Sequence, residues 1–555
     1  MRSNRCSWGL LTLAVAMMAA GVVRGKNEPF FEGLGSYKHK ITTASPQAQR
    51  YFDQGIGFYH GFNHAEAIRS FQAAVAADPK CAMAHWGIAL ACGPHINLPI
   101  VPPPSAELAW KELKLAQENV AGVSPVELDL IEALGQRYAN PQPEDRMPLD
   151  QAYADAMRKV WQLHPDDVEV GVLFAEAMMD LRPWNQWTPQ GEPNPGTEEI
   201  LATLDAVLKM NPQHPFANHL YIHATEASPD PARANAAADR LRTLQPGLAH
   251  NVHMPSHIDI RCGRWQQAVE TNEKAITADQ NYRKIVGPPK GFINVYVAHN
   301  RHMLAYAAMM TGQRELAMKH IRAMVAGIDP DFVKQFALQA EGFIAMPMET
   351  MVRFGMWDKI LAEPDNYADY MTGTRAFHHA ARAIAYAAKG DPENARKEQA
   401  IFLEKVKLVP KEETFGNNTA ADVFAVAQHM TEGEILVREN KLDAGIAELR
   451  TAIKLEDALK YDEPPAWLIP VRHSLGATLM RNGRYAEAEE VYREDLKRLP
   501  DNGWSLFGLA ESLRLQDKNA DEAKAAKAKF QQIWAKADTK ITSSCLCQPA
   551  ELAKK

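Results

Sequence analysis

The sequence predicts an all-α protein, a solenoid of antiparallel helix pairs with irregular loop insertions. Three observations carry this. The chain has 555 residues, too many for one compact core, which leaves several domains or one extended array. Strong helix formers (Ala, Leu, Glu, Lys, Arg, Met) dominate its composition. A pattern of small residues, an aromatic and a closing proline returns along the chain at a spacing that suits two packed helices.

In chain order, residues 1–25 have the form of a secretory signal: Arg2 and Arg5, a short apolar run from Trp8 to Ala20, then the small residues Val23 and Gly25 near a cleavage point. The apolar run is short for a membrane span. An uncleaved anchor is the alternative. The expectation is export to a periplasmic or extracellular space, with no membrane insertion after cleavage. Residues 26–44 form an N-terminal extension, 45–535 the helical array, and 536–555 a tail.

The array opens with YFDQGIGFYHGFNHAEAIRSFQAAVAADP from Tyr51, in which Ala67, Phe71, Ala74 and Pro79 mark the second helix of a pair. Leu475, Gly476, Ala488, Tyr492 and Pro500 repeat the pattern more fully. Related units begin at Gly263, Gly312, Gly355 and Gly390. Small residues let two helices approach closely, large ones fill the gap between neighbours, and proline ends the second helix. On these residues the chain resembles the tetratricopeptide-repeat (TPR) superfamily over most of residues 45–535. The resemblance implies a right-handed superhelix whose first helices line a concave groove, and a protein or peptide partner for that groove. Through GFNHAEAIRSF, NHLYIHATEAS, HNVHMPSHIDIRCGRW and PVRHSLGATLMRNGRYAEAEEVYREDL it also resembles a group of exported bacterial TPR proteins, which lends it no activity.

Three segments interrupt the array: the proline-rich 93–106, then 182–196 with two tryptophans, then 281–292. Such loops often shape a binding face. The net charge of −7 excludes the strongly basic balance that nucleic-acid binding needs. Five cysteines follow the signal: Cys81, Cys92, Cys262, Cys545 and Cys547. They make no disulfide framework. Cys545-Leu-Cys547 reads as a disulfide, a soft-metal ligand pair or part of a solvated tail, the last being the expectation.

The histidines point to function. Seven of nineteen fall between His219 and His302. His219, His223 and Glu226 are spaced to share one helical face, and so are His250, His253 and His257. His253 and His257 follow His219 and His223 by 34 residues, the length of one TPR unit. His299 and His302 precede Gly312 by the same intervals at which His250 and His253 precede Gly263, with Tyr306 where His257 would fall. The groove over 219–306 therefore stacks histidines from three first helices. Neutral imidazole binds zinc, copper or iron, and helices about 9 Å apart can bring three or four ligands together. The expected ligand set is His219, His223, Glu226, His250, His253, His257, His299 and His302, for one or two ions. Glu176 joins from the preceding unit, and Glu349 by a weaker alignment. His60, His85, His95, His320, His378 and His379 read as ordinary core or groove residues. His64 in the turn GFNH is a minor candidate.

No HExxH, GxSxG or GxxxxGK[ST] motif is present. Catalysis would rest on the metal, as hydrolysis by a metal-bound water or as oxidation, with Glu226 and Tyr306 as candidate catalytic groups. Met254 and Met303 would favour copper if they faced the site, but they read as core. The alternative function is a non-catalytic scaffold that binds a peptide or protein partner. Whether the chain is an enzyme stays open at this level.

Overall fold

The computed structural model describes residues 28–288 and 291–547, so the expected signal segment lies outside the described residues. The chain divides into two compact units. One holds residues 28–258 with 273–296, the other 259–272 with 297–547. Each is a series of antiparallel helix pairs. The first unit opens with helices Pro46–His60 and His64–Ala77. The second closes with Val471–Arg481 and Tyr485–Arg498, then Gly503–Leu515 and Ala520–Ile533. Among the described residues the sole named strands are the two-residue pair Thr414–Phe415 and Asn418–Thr419. No described helix is long and apolar enough to cross a membrane.

One packing device recurs in both units. Phe71 stands between Gly55 and Gly87, sixteen residues away on either side. A Cβ added at these glycines would lie 2.5 and 2.8 Å from its ring. Tyr492 stands in the same way between Gly476 and Gly508, where an added Cβ would lie 2.4 and 2.2 Å from the ring. The aromatic of a second helix thus fills the notch left by glycine in its own first helix and in the next one. Side chains at these glycines would force the helices apart.

The turn inside a pair also recurs. At Gly263, Gly312, Gly355, Gly390 and Gly483 a left-handed glycine ends the first helix. The next residue's N–H bonds the carbonyl five positions back, as in Gln313 to Ala308 (3.0 Å) and Arg484 to Leu479 (3.0 Å). Asn440 and Asp517 take the left-handed position in two further turns, and such short polar residues tolerate it. In the first pair the position belongs to Phe62, at φ 54°, and Asn63 N–H bonds the Phe58 carbonyl at 3.0 Å.

Three expectations about elements are corrected. The helix Trp265–Val286 runs on into the segment 281–292 that read as irregular. The histidines 250–257 lie on two helices, Ala249–His253 and Pro255–Arg261, because Pro255 has no N–H to continue the ladder. Cys545 and Cys547 form a buried disulfide packed on Ala477, not a solvated tail. Before it, Thr539 N–H bonds the Gly312 carbonyl (3.2 Å), and Ser544 Oγ meets the Tyr492 hydroxyl (2.7 Å).

Candidate metal centre

His219 and His223 sit one turn apart on the helix Pro215–Thr225, which starts at His214 with Pro215 in the first turn. His214 Nδ1 accepts the Ala217 N–H (3.2 Å). His250 comes from the short helix Ala249–His253. All three imidazoles are buried, and each offers a ring nitrogen within 4.8 Å of the other two.

The other nitrogens decide which lone pairs are free. His219 Nδ1 donates to the His60 carbonyl at 2.8 Å. That carbonyl is available because it ends the helix Pro46–His60, where the last carbonyls lack helical partners. His223 Nδ1 donates to Glu226 Oε1 at 2.9 Å. Both rings are thereby held with Nε2 unprotonated, and neither Nε2 has a hydrogen-bond partner. Neither ring nitrogen of His250 has one either. Buried polar atoms are nearly always satisfied, so three neighbouring rings with unused nitrogens call for a reason. Anchoring a ligand histidine through its far nitrogen to a carbonyl or carboxylate is how metal sites fix ring and tautomer.

Electrostatics keep the rings neutral. Burial, reinforced by neighbouring imidazoles, holds His219 and His250 well below the ordinary histidine range. Burial lowers His223 too, although Glu226 opposes it. Burial pushes the Glu226 carboxyl up, but His257 and His223 outweigh this and hold it at about 2. Glu226 is therefore a carboxylate shared between two histidines, its Oε2 lying 2.6 Å from His257 Nδ1. His257 Nε2 in turn faces His253 Nε2 at 2.8 Å.

Aromatic rings wall the site. Phe62 lies 4.5 Å from the His219 ring, 5.6 Å from His250 and 6.1 Å from His223, between centroids. Trp184 meets His223 edge-on at 5.4 Å, and Tyr296 lies 4.2 Å from His250. Among the described residues, the non-glycine residues with positive φ are Asn or Asp apart from Phe62 and Trp184 (φ 60°). Both exceptions face these histidines. Bulky residues held in the left-handed region are strained, and such strain gathers at functional sites.

The remaining candidates divide. Glu176 is buried and accepts the Tyr59 hydroxyl, and it is not among the residues whose donor atoms meet those of His219, His223 and His250. Burial pushes it up to about 7. His299, His302 and Tyr306 lie on the part of helix Ile293–Met310 that belongs to the second unit. There His302 packs 5.9 Å from the Phe343 ring, and burial lowers it to about 3. Tyr306 lines a cavity of about 190 Å³ with Trp265, Glu456 and Tyr461. Glu349 accepts the Leu468 N–H (3.1 Å), and burial pushes it to about 8. Met254 and Met303 are fully buried core residues. His60 does more than fill the core. Besides its carbonyl's bond to His219, its Nε2 joins His214 and Tyr37 on Glu169, at 3.0, 3.2 and 2.5 Å.

Sequence reasoning missed Phe62, Trp184 and Tyr296. For Phe62 a signal existed. GFN at 61–63 aligns with TGQ at 311–313, KGD at 389–391 and NGR at 482–484, so an aromatic stands where the turn wants glycine. His95, read as core, packs 4.5 Å from both Phe62 and His64.

The tetratricopeptide-repeat family profile matches residues 52–92 and 474–535. No curated protein matches the chain. Solved structures with some likeness include the human IFIT1 dimer with m7Gppp-AAAA, at 14% identity over 89% of this chain and 92% of that one, TM-score 0.33. The APC/C hetero-tetramer Cut9-Hcn1 gives 11% identity over 88% and 74%, TM-score 0.31. The P58(IPK) TPR domain gives 14% over 87% and 92%, TM-score 0.19. At these TM-scores the likenesses carry no further argument. The profile matches, together with the recurrent glycine–aromatic notch and the recurrent turn, mark residues 52–92 and 474–535 as tetratricopeptide repeats.

Proposed function

We propose that this protein, exported to the periplasm or cell exterior, binds a transition-metal ion through His219, His223 and His250. One observation carries the reading: three buried imidazoles converge with unused nitrogens, two of them anchored through Nδ1 to a carbonyl and a carboxylate. An all-imidazole set suits zinc, copper or iron. Three protein ligands leave a further position for water or a substrate atom, the arrangement of catalytic rather than structural sites. Phe62, Trp184 and Tyr296 give that position aromatic walls. The reading is thus a metal-dependent enzyme, hydrolase or oxidase, on a TPR frame. TPR repeats also suit a protein-binding scaffold.

The test is elemental analysis of the untagged mature protein beside a His219→Ala/His250→Ala variant. About one equivalent of one metal, lost in the variant, supports the site. No metal after reconstitution with zinc, copper and iron would leave a peptide- or protein-binding scaffold as the function.

A further inference from the structure

A second constellation of metal-ligating groups lies within the second unit and does not rest on the histidine site. Glu434, on the helix Ala420–Arg438, is buried at 1% exposure. Its Oε1 accepts the Ser474 hydroxyl, from the helix Val471–Arg481. Its Oε2 makes no hydrogen bond, and its ion-pair partner, the Arg438 guanidinium, lies at 4.0 Å. A buried carboxylate oxygen left this way is costly. What lies beside it is the pair Cys545 and Cys547. Both sulfurs and a Glu434 oxygen lie within 4.8 Å of one another, and Ser474 Oγ is 3.5 Å from Cys547 Sγ. The Cys545-Leu-Cys547 segment is fixed there by Arg438, which donates to the Cys547 carbonyl, and by Arg353, which donates to the Ser544 carbonyl at 2.8 Å.

We infer that Glu434, Cys545 and Cys547 form a redox-gated site for a thiophilic metal ion, closed as the disulfide and opened by reduction. A dithiol reductant transfers two electrons and two protons to the Cys545–Cys547 bond and closes to its own disulfide, leaving two thiols. The incoming ion displaces both thiol protons and takes two thiolates and the Glu434 carboxylate, a set that suits zinc or another thiophilic dication. In the oxidised form the sulfurs are bonded to each other and the ion has no thiolate to bind. Oxidation therefore releases the metal and reduction permits its capture. Glu434 needs no movement to serve, since it already faces both sulfurs.

Cobalt(II) is the probe, because only sulfur ligands give a thiolate-to-cobalt charge-transfer band. The full chain is reduced with a dithiol, desalted without oxygen and titrated with cobalt. The band is expected to saturate at about one equivalent and to be absent in the oxidised protein. It should vanish in Cys545→Ser/Cys547→Ser, and Glu434→Gln should weaken binding about ten- to a hundredfold. Absence of the band in reduced wild type would overturn the inference. So would a band that survives the double substitution, which would place the cobalt on one of the other four cysteines, Cys6, Cys81, Cys92 or Cys262. A second measurement needs no variant. Alkylation of Cys545 and Cys547 in the reduced wild type, followed by mass spectrometry, should slow at least tenfold with cobalt present; equal rates would also overturn it.

Discussion

His223 Nδ1 lies 2.9 Å from Glu226 Oε1, three residues further along the same turn of chain. The bond occupies Nδ1, leaves Nε2 as the unused ring nitrogen and fixes the tautomer. Glu226→Gln keeps the shape but removes the charge that makes the bond strong. With the metal at His219, His223 and His250, affinity should fall about ten- to a hundredfold, the usual cost of losing an outer partner of a ligand histidine. Competition against a chelator of known affinity measures it. Unchanged affinity would deny Glu226 its orienting role.

Phe62 holds a turn position that glycine, Asn or Asp takes in the other turns described above. Phe62→Ala and Phe62→Gly both delete the ring and should cost about 3–5 kcal/mol. Only alanine keeps a Cβ at φ 54°, a conformation that costs about 1–2 kcal/mol. Phe62→Gly should therefore be the more stable of the two by about 1 kcal/mol in urea unfolding. Equal stabilities would mean that the turn carries no strain.

Much of this was legible in the sequence, and the reasons differ by feature. The repeat was legible because its glycines, aromatics and prolines each have one steric task. The histidine set was legible because one turn brings residues three or four apart onto one face. Which nitrogens are free was not, since His219 is fixed by the carbonyl of His60, 159 residues away. The break at Pro255 could have been foreseen from the missing N–H. The burial of Cys545 and Cys547 could not, because their contacts with Ala477 and Ser474 leave no periodic trace.

Alkaline pH should destabilise the second unit through Glu413. Burial, and then the adjacent Glu341, push its carboxyl up to about 9 from an ordinary 4.5. The folded state therefore keeps a proton that the unfolded chain gives up. The contribution of Glu413 is full below about pH 4.5 and is lost as pH rises toward 9. Glu413→Gln, neutral at every pH, should match wild type near pH 5 and exceed its Tm at pH 8.5. Each kcal/mol should appear as about 2–4 °C. Parallel Tm curves for the two proteins would show that Glu413 ionises normally.

The glycine–aromatic notch sets a stability test for the repeat itself. At Gly508 an added Cβ would lie 2.2 Å from a Tyr492 ring carbon, and the Tyr492 ring is fully buried. Gly508→Ala should cost about 1–3 kcal/mol by overpacking. Gly327 is the control: it ends the helix Arg314–Gly327, and an added Cβ there meets nothing within 4 Å. Gly327→Ala should be neutral or stabilising by up to about 1 kcal/mol, the helix preference of alanine over glycine. If the notch is the cause, Tyr492→Leu should recover part of the Gly508→Ala loss, because leucine lacks the ring that collides. The coupling in that double-mutant cycle, read from denaturant unfolding, should exceed 0.5 kcal/mol, as it does for residues in contact. Additive effects would place the cost of Gly508→Ala in the backbone and not in the packing of neighbouring repeats.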